Sequence, residues 1–289
     1  MILTILAWPE AMPQPGRLEA LAAAFGVEPP DGRLLLRRAT PMPMPPLARE
    51  HALQAAGMLQ AAGVPVAAIS LEAIKRLEEP LRLRELTPKP GPSGHTLVCT
   101  PWKGEPVETP AAGVALLARA LVRRSKTVTS GGHDDPALTI GLDMAGLPGT
   151  GIAGAIRDSA LSRQTSTAHS STHVLDIFAG SKRLRVDGAK FNFRSTGIGK
   201  AYSDHASARA LLDLLRSLCP GAALDEQFGS FSPPGPLQLS RFLGAVGSIG
   251  PSEFLTTIRD DTGAFGFYGA WKYLLLRALA RPPSAEGAR

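Results

Sequence analysis

The sequence predicts an α+β chain with three parts: a small βαβαβ two-layer α/β domain over residues 1–78, a mainly antiparallel β domain over 79–232 closed by an amphipathic helix, and a helical extension and tail over 233–289. Three observations carry this expectation. Apolar runs of strand length alternate with 3.6-period stripes in the first 70 residues, a two-residue period takes over near residue 81, and an amphipathic stretch follows at 204–218.

Ile2 to Trp8 is a continuous apolar run of strand length. Leu18, Leu21, Ala22 and Phe25 then fall at i, i+3, i+4 and i+7. Pro15 sits where a first helical turn tolerates proline, and Gly26 where a left-handed stop is wanted. Leu34 to Leu36, between Arg33 and Arg37, reads as a second strand that the Pro-rich segment 42–46 punctuates. A second helix, Ala48 to Ala62, places Ala52, Ala55, Ala56 and Leu59 on one stripe, stops at Gly63 and feeds the strand Val64 to Ser70. With right-handed crossovers, both helices cover one face of the sheet. The turn from Trp8 to Pro13 lacks the glycines and free amides of a phosphate cradle, which disfavours a nucleotide fold here.

From residue 81 the pattern alternates. Leu81 to Arg84, Thr96 to Thr100, and Val107 to Thr109 after the Lys103-Gly104 turn form a meander. Val114 to Arg124 fits two templates: Val114, Leu117, Ala118 and Leu121 lie on a helical stripe, yet the run also suits a twisted strand. Residues 129–172 are rich in small and polar side chains and read as a long flexible insertion. His173 to Ala179, Arg183 to Asp187 and Lys190 to Phe193 follow as three short strands joined at Gly180-Ser181 and at Asp187-Gly188, a favoured type I′ pair. Leu184 and Val186 alternate with Arg183, Arg185 and Asp187, so one face is apolar and the other solvated. A helix from Asp204 to Leu218 carries Ala208, Leu211, Leu212, Leu215 and Leu218 on one stripe, with Ser203 or Asp204 as cap and Pro220-Gly221 past its stop.

Strands on both sides of an insertion, closed by one amphipathic helix, resemble over about residues 81–220 the PH-like β-barrel or roll of many bacterial adaptor proteins. The resemblance is one of element order, and it implies a binding surface without catalytic machinery. Beyond it, short apolar helices are expected around Leu237 to Val246 and Glu253 to Ile258. A stronger helix places Phe267, Trp271, Leu274, Leu275 and Ala278 on one stripe, and a frayed tail runs from Pro282.

A chain of 289 residues is long enough for two real cores. Its two cysteines, Cys99 and Cys219, have no CxxC or Cys/His spacing, which excludes a disulfide framework and a Cys-rich zinc module and points to a reducing cytoplasm. No basic residue precedes the short apolar run at the N-terminus and no stretch reaches about 18 apolar residues, so neither a signal peptide nor a spanning helix is expected.

The net charge of +6 and a pI near 9.6 invite a nucleic-acid reading. The excess is thinly spread, and only Arg123, Arg124 and Lys126, and separately Lys182, Arg183 and Arg185, form local clusters. Alternating Arg and apolar residues read more simply as a solvated sheet face.

Candidate chemistry is sparse. Gly146 to Gly154 looks like the phosphate loop of AAA-type ATPases over its first six positions, but Ile152 stands where the phosphate-binding lysine belongs and Ala153 at the magnesium-binding position. His169, His173 and Asp176 have metal-ligand spacing for a helix, while the residues from His173 onward favour strand. Neither cysteine has a basic neighbour, no nucleophile elbow occurs, and the pairs Asp134-Asp135 and Asp260-Asp261 suit solvated loops. Tyr268, Trp271 and Tyr273, with Phe265 and Phe267, form an aromatic interface for a partner or, more simply, a docked core stripe; a peripheral membrane contact through Lys272, Arg277 and Arg281 is the weakest of the three readings.

The expectation is a non-enzymatic binding or adaptor protein without cofactor, whose partner is another protein. The alternatives are a nucleic-acid binder using the six basic residues, and an enzyme or metal-binding protein with a site built from residues 129–176.

Overall fold

A computed structural model describes residues 1–91, 94–130, 164–199, 203–231, 243–244 and 254–280. The Gly146–Gly154 loop, the Asp134-Asp135 pair, most of the expected insertion and the tail lie outside the described residues. The chain is α+β and divides into two compact units: Met1–Val122 with Thr172–Gln238 and Thr262–Arg289, and Arg123–Ser171 with Leu239–Asp261.

The first unit opens with β1 (Ile2–Ile5), α1 (Gln14–Phe25), α2 (Pro29–Leu36), β2 (Met42–Pro43), α3 (Arg49–Ala61), β3 (Val66–Ile69) and α4 (Leu71–Glu78). Helices α1 and α3 follow the stripes read in the sequence, and Gly26 and Gly63 take the left-handed conformation beyond their ends, at φ of 62° and 76°. Leu34 to Leu36 is helical and not a strand. Pro29 and Pro30 start that helix, where missing amides cost nothing and the fixed φ is already helical, and the second strand moves to Met42–Pro43 at the sheet edge. The order is β2-β1-β3, with both neighbours antiparallel to β1, so the parallel crossovers expected from the sequence do not occur. Helix α4 adds an element to the expected order. Its local signals are Ser70, whose Oγ accepts from the Ala73 amide at 3.4 Å, and the buried Ile74 and Leu77.

The larger sheet is built from β4 (Leu81–Gly91), β5 (Gly94–Pro101), β6 (Val107–Pro110), β7 (Val114–Ser130), β8 (Gln164–Ala179) and β9 (Lys182–Asp187), in the order β7-β8-β9-β4-β5-β6. The β4-β5-β6 meander is antiparallel as expected, but β9 joins β4 in parallel, and β10 (Ala223–Asp225) lies parallel to β7. The ambiguous run at 114–124 is strand. Leu116, Leu117 and Ala118 are all fully buried, so a strand covered on both faces produced a continuous apolar pattern that also fitted a helix.

The β8–β9 hairpin turns at Gly180-Ser181, with Gly180 at φ 59°. Lys190 to Phe193 is not a third strand. The Asp187 carbonyl accepts from the Lys190 and Phe191 amides, its carboxylate accepts from the Ala189 amide at 3.2 Å, and the chain curls into a 3₁₀ turn at Phe193–Thr196. Helix α5 (Asp204–Leu218) has the expected cap, Ser203 Oγ accepting from the Ala206 amide at 3.2 Å. It presses Leu211, Leu212 and Leu215 onto a core that includes Leu97, Ile177 and Leu184.

The second unit pairs β12 (Phe254–Asp260) antiparallel with the far half of β7, with β11 (Leu243–Gly244) beside β12. The segment expected as a helix around Glu253 to Ile258 is therefore strand from Phe254 onward. Thr256, Thr257 and Ile258 are β-branched and prefer that state. Asp260 ends this strand, paired with Arg124 at 3.3 Å.

Helix α6 (Thr262–Ala280) belongs to the first unit and is buried on nearly every side from Ala264 to Trp271. It runs against α4 and β3. It also explains why all four residues of β1 are buried: Leu3 and Ile5 join the core under α1 and α3, while Thr4, on the opposite face, meets Trp271.

Candidate functional site

Three groupings of polar side chains lie in the first unit. The most deeply buried corrects two sequence expectations at once. Arg183 and Arg185, assigned to a solvated face, are 3% and 5% exposed, and Asp176, a candidate metal ligand, is fully buried between them. Arg183 Nε donates to Asp176 Oδ2 at 3.0 Å, and Arg185 Nε and Nη2 donate to Oδ1 and Oδ2 at 2.7 and 2.8 Å. Arg183 Nη1 reaches the Leu77 carbonyl at 2.9 Å. The guanidiniums stand over the rings of Phe178 and Phe265 at 5.5 and 5.3 Å. Burial alone would raise the Asp176 pKa, but the two arginines outweigh it and hold the carboxyl below its usual value.

What covers this second sheet face is α6. A Cβ on Gly269 would stand 3.0 Å from the Phe178 ring, and one on Gly266 would stand 3.6 Å from both terminal nitrogens of Arg183. The first of these distances is tight, so glycine at 269 lets the helix lie close on the Phe178 ring beside the ion cluster, while the second is an ordinary contact.

Tyr268, Trp271 and Tyr273 accordingly form no exposed aromatic interface; they are 3%, 1% and 1% exposed. Their polar ends point in three directions around α6, to the Asp225 carboxylate, the Thr4 hydroxyl and the Gly180 carbonyl.

The remaining basic candidates scatter. Lys182 and Arg123 are exposed, Arg124 is engaged by Asp260, and the side chain of Lys126 lies outside the described residues. Lys182, Arg183 and Arg185 lie in the first unit and Arg123, Arg124 and Lys126 in the second. The histidines separate too. His169, His173 and Asp176 all lie on β8, where residues four apart stand about 13 Å from one another and an odd offset points to the opposite face. Among the described residues, no group of three or more His, Cys, Asp or Glu side chains is placed to hold a metal ion.

The second grouping pairs His173 with a partner the sequence did not reveal. His173 Nε2 and His205 Nδ1 are 3.1 Å apart, joining β8 to the first turn of α5. Burial, then His205, then Arg119 lower the pKa of His173, against an opposing pull from Asp204. The folded state therefore takes up this proton less readily than the unfolded chain. Stability from the neutral ring is complete above about pH 6.5 and is lost as pH falls below it. The urea midpoint should drop between pH 7.5 and 5.5, and His173→Gln should flatten that drop; an equal drop in the variant would refute the assignment. Asp176 stays ionised throughout this window.

The third grouping surrounds a narrow cleft of about 50 Å³ formed by Arg38–Pro43, the 3₁₀ turn at Gln227–Ser230 with Phe231, and one side of α6. Arg38 lines the cleft; its Nη1 is buried with no hydrogen-bond partner, and burial lowers the pKa of this guanidinium. Lys272 lines the same cleft, held to Asp225 Oδ2 at 3.0 Å. Asp225 is fully engaged: its other oxygen accepts from Tyr268 and from the Gln227 amide at 3.0 Å. Phe231, Tyr268 and Trp271 supply aromatic walls, with Phe231 4.7 Å from Tyr268 and 5.7 Å from Trp271 between ring centroids. Two broader, open depressions, one lined by Phe191, Arg194 and Asp204 and one by Arg216, Cys219 and Leu224, carry no buried unpartnered polar atom.

Cys99 and Cys219 are buried free thiols whose pKa values burial pushes up to about 12 and about 11, so neither is poised as a nucleophile. No helix among the described residues is long and apolar enough to cross a membrane. Comparison with known protein families, curated proteins and solved structures finds no match.

Proposed function

We propose that this chain is a binding or adaptor protein that docks a partner protein at the cleft between Arg38–Pro43, Gln227–Phe231 and α6. The observation that carries this reading is the combination of size and lining. A volume of about 50 Å³ is far below the roughly 300–1,000 Å³ of pockets that enclose a whole small molecule, so the group that enters is one end of something larger. Its rim offers the half-buried Arg38 and Phe231 and the exposed Gln227 and Ser230, a mix of arginine, aromatic and polar groups that protein partners engage, over a floor of the buried Tyr268 and Trp271 rings. The nucleic-acid alternative loses support, because Arg183 and Arg185 are enclosed beneath α6. A cytoplasmic setting belongs to the same reading, since both cysteines are unpaired.

Site-specific photocrosslinking in cells tests this. A photoreactive residue in place of Gln227, exposed at the cleft rim, should give one discrete protein adduct, and the same residue in place of Leu53, 56% exposed on α3, should give none. Adducts to nucleic acid, equal adducts from both positions, or no adduct from position 227 would overturn the proposal.

A further inference from the structure

Independently of the cleft, we infer that His173 and His205 form an acid-released latch. At neutral pH a hydrogen bond between the two rings holds the first turn of α5 against β8, and one added proton frees that turn and opens the depression beside Phe191 and Phe193. The argument starts from the two nitrogens of His173. Nε2 stands 3.1 Å from His205 Nδ1, while Nδ1 is buried and has no hydrogen-bond partner. An enclosed N–H without an acceptor is the arrangement native structures avoid most, so the neutral ring keeps Nδ1 bare and carries its proton on Nε2, donating to His205. Another proton then has no favourable place. On His173 it occupies Nδ1, as a charged donor with nothing to accept from it. On His205 it occupies Nδ1 and meets the Nε2–H of His173, donor against donor. Shifting protons to restore the bridge again fills His173 Nδ1. A metal ion held through the same two nitrogens would also push the proton onto Nδ1, so the tautomer favours a latch over a metal site.

The surrounding charges do not undo this. Burial, then His205, then Arg119 from β7 resist a charge on His173, and Asp204 on α5 favours it. Arg119 is joined to Glu226 at 2.6 Å, and Arg209, one turn past His205, to Asp213 at 3.4 Å. Just past β9, the Gly188 amide donates to the His173 carbonyl at 2.8 Å, and the neighbouring Asp187 carboxylate accepts from the Ala189 amide.

What the latch holds is a part of α5 that can move. Leu211, Leu212 and Leu215 anchor the helix in the core, and they begin more than a turn beyond His205. The first turn instead borders an open depression, which Asp204 and Ser207 line together with Phe191, Phe193 and Arg194. Phe191 and Phe193, each 7% exposed and 5.1 Å apart between ring centroids, are the apolar surface that lifting this turn uncovers.

Backbone hydrogen exchange of the full-length protein at pH 7.5 and 5.5, expressed as protection factors, tests the inference. The amides of residues 206–208 are expected to lose roughly fivefold or more in protection at the lower pH, while those of 211–215 change by less than about twofold. In the double variant His173→Gln, His205→Gln neither side chain ionises, and the ratio between the two pH values should return to about one. Nitrogen NMR of the histidine-labelled parent at pH 7.5 needs no variant: His173 Nδ1 should be unprotonated. Equal protection of 206–208 at both pH values, an equal loss along the whole of α5, an undiminished acid response in the double variant, or a protonated Nδ1 would overturn the latch.

Discussion

Asp176→Asn is expected to cost about 3–5 kcal/mol, enough to unfold much of the population of an ordinary domain. The reason is asymmetry. As a carboxylate, Asp176 accepts from both Arg183 and Arg185 in a place sealed by α6, with all three side chains 6% exposed or less. As an amide it keeps its shape but lets two guanidiniums face each other in a medium that screens them poorly. The cluster as a whole need not be stabilising, because removing all three charges together can be neutral or favourable. The triple variant Asp176→Leu, Arg183→Met, Arg185→Met is therefore expected to recover most of what D176N loses, and urea denaturation of the two variants side by side measures this. A D176N protein within about 0.5 kcal/mol of the parent would mean that water reaches the cluster.

Trp271→Ala carries the second large effect, about 3–5 kcal/mol from lost packing. The Thr4 hydroxyl also loses the indole N–H that donates to it at 2.9 Å, in a place where Thr4 is fully buried. Because this contact joins the three-stranded sheet to the helix that also covers the larger sheet, both should melt together at a lower midpoint. Trp271→Phe keeps most of the ring area and should lose only about 1–2 kcal/mol. Denaturation followed by circular dichroism, with proteolysis of residues 1–78 monitored in parallel, distinguishes the outcomes. A W271A protein with the parent's midpoint would show that the indole is not a structural link.

The parts of this fold legible in the sequence are those set by neighbours along the chain. Gly26 and Gly63 stop α1 and α3, Ser203 starts α5, and the 81–109 meander follows its own alternation. What sequence reading missed depends on distant partners. Arg183 and Arg185 look solvated until α6, about 80 residues later, covers them. His205 lies 32 residues from His173, and the parallel β4–β9 pairing leaves no local trace. Leu34–Leu36 is helical for a local reason, since Pro29-Pro30 is a helix-start signal as much as a break. One sign of that cover is local: between residues 262 and 271 no side chain is charged, and a helix apolar all round demands cover on every side, hence a second sheet face to supply it. The unsatisfied nitrogen of Arg38 had no signature at all, because an orphaned donor exists only once the surrounding elements have assembled.

The bond between Thr4 and Trp271 spans 267 residues of chain. At roughly 5–20 residues per second on the ribosome, the first strand emerges on the order of ten to fifty seconds before the indole that completes its far side is made. During that interval the Thr4 face of the nascent β1 has no native cover, so the small sheet is sealed on this side only once synthesis has passed α6.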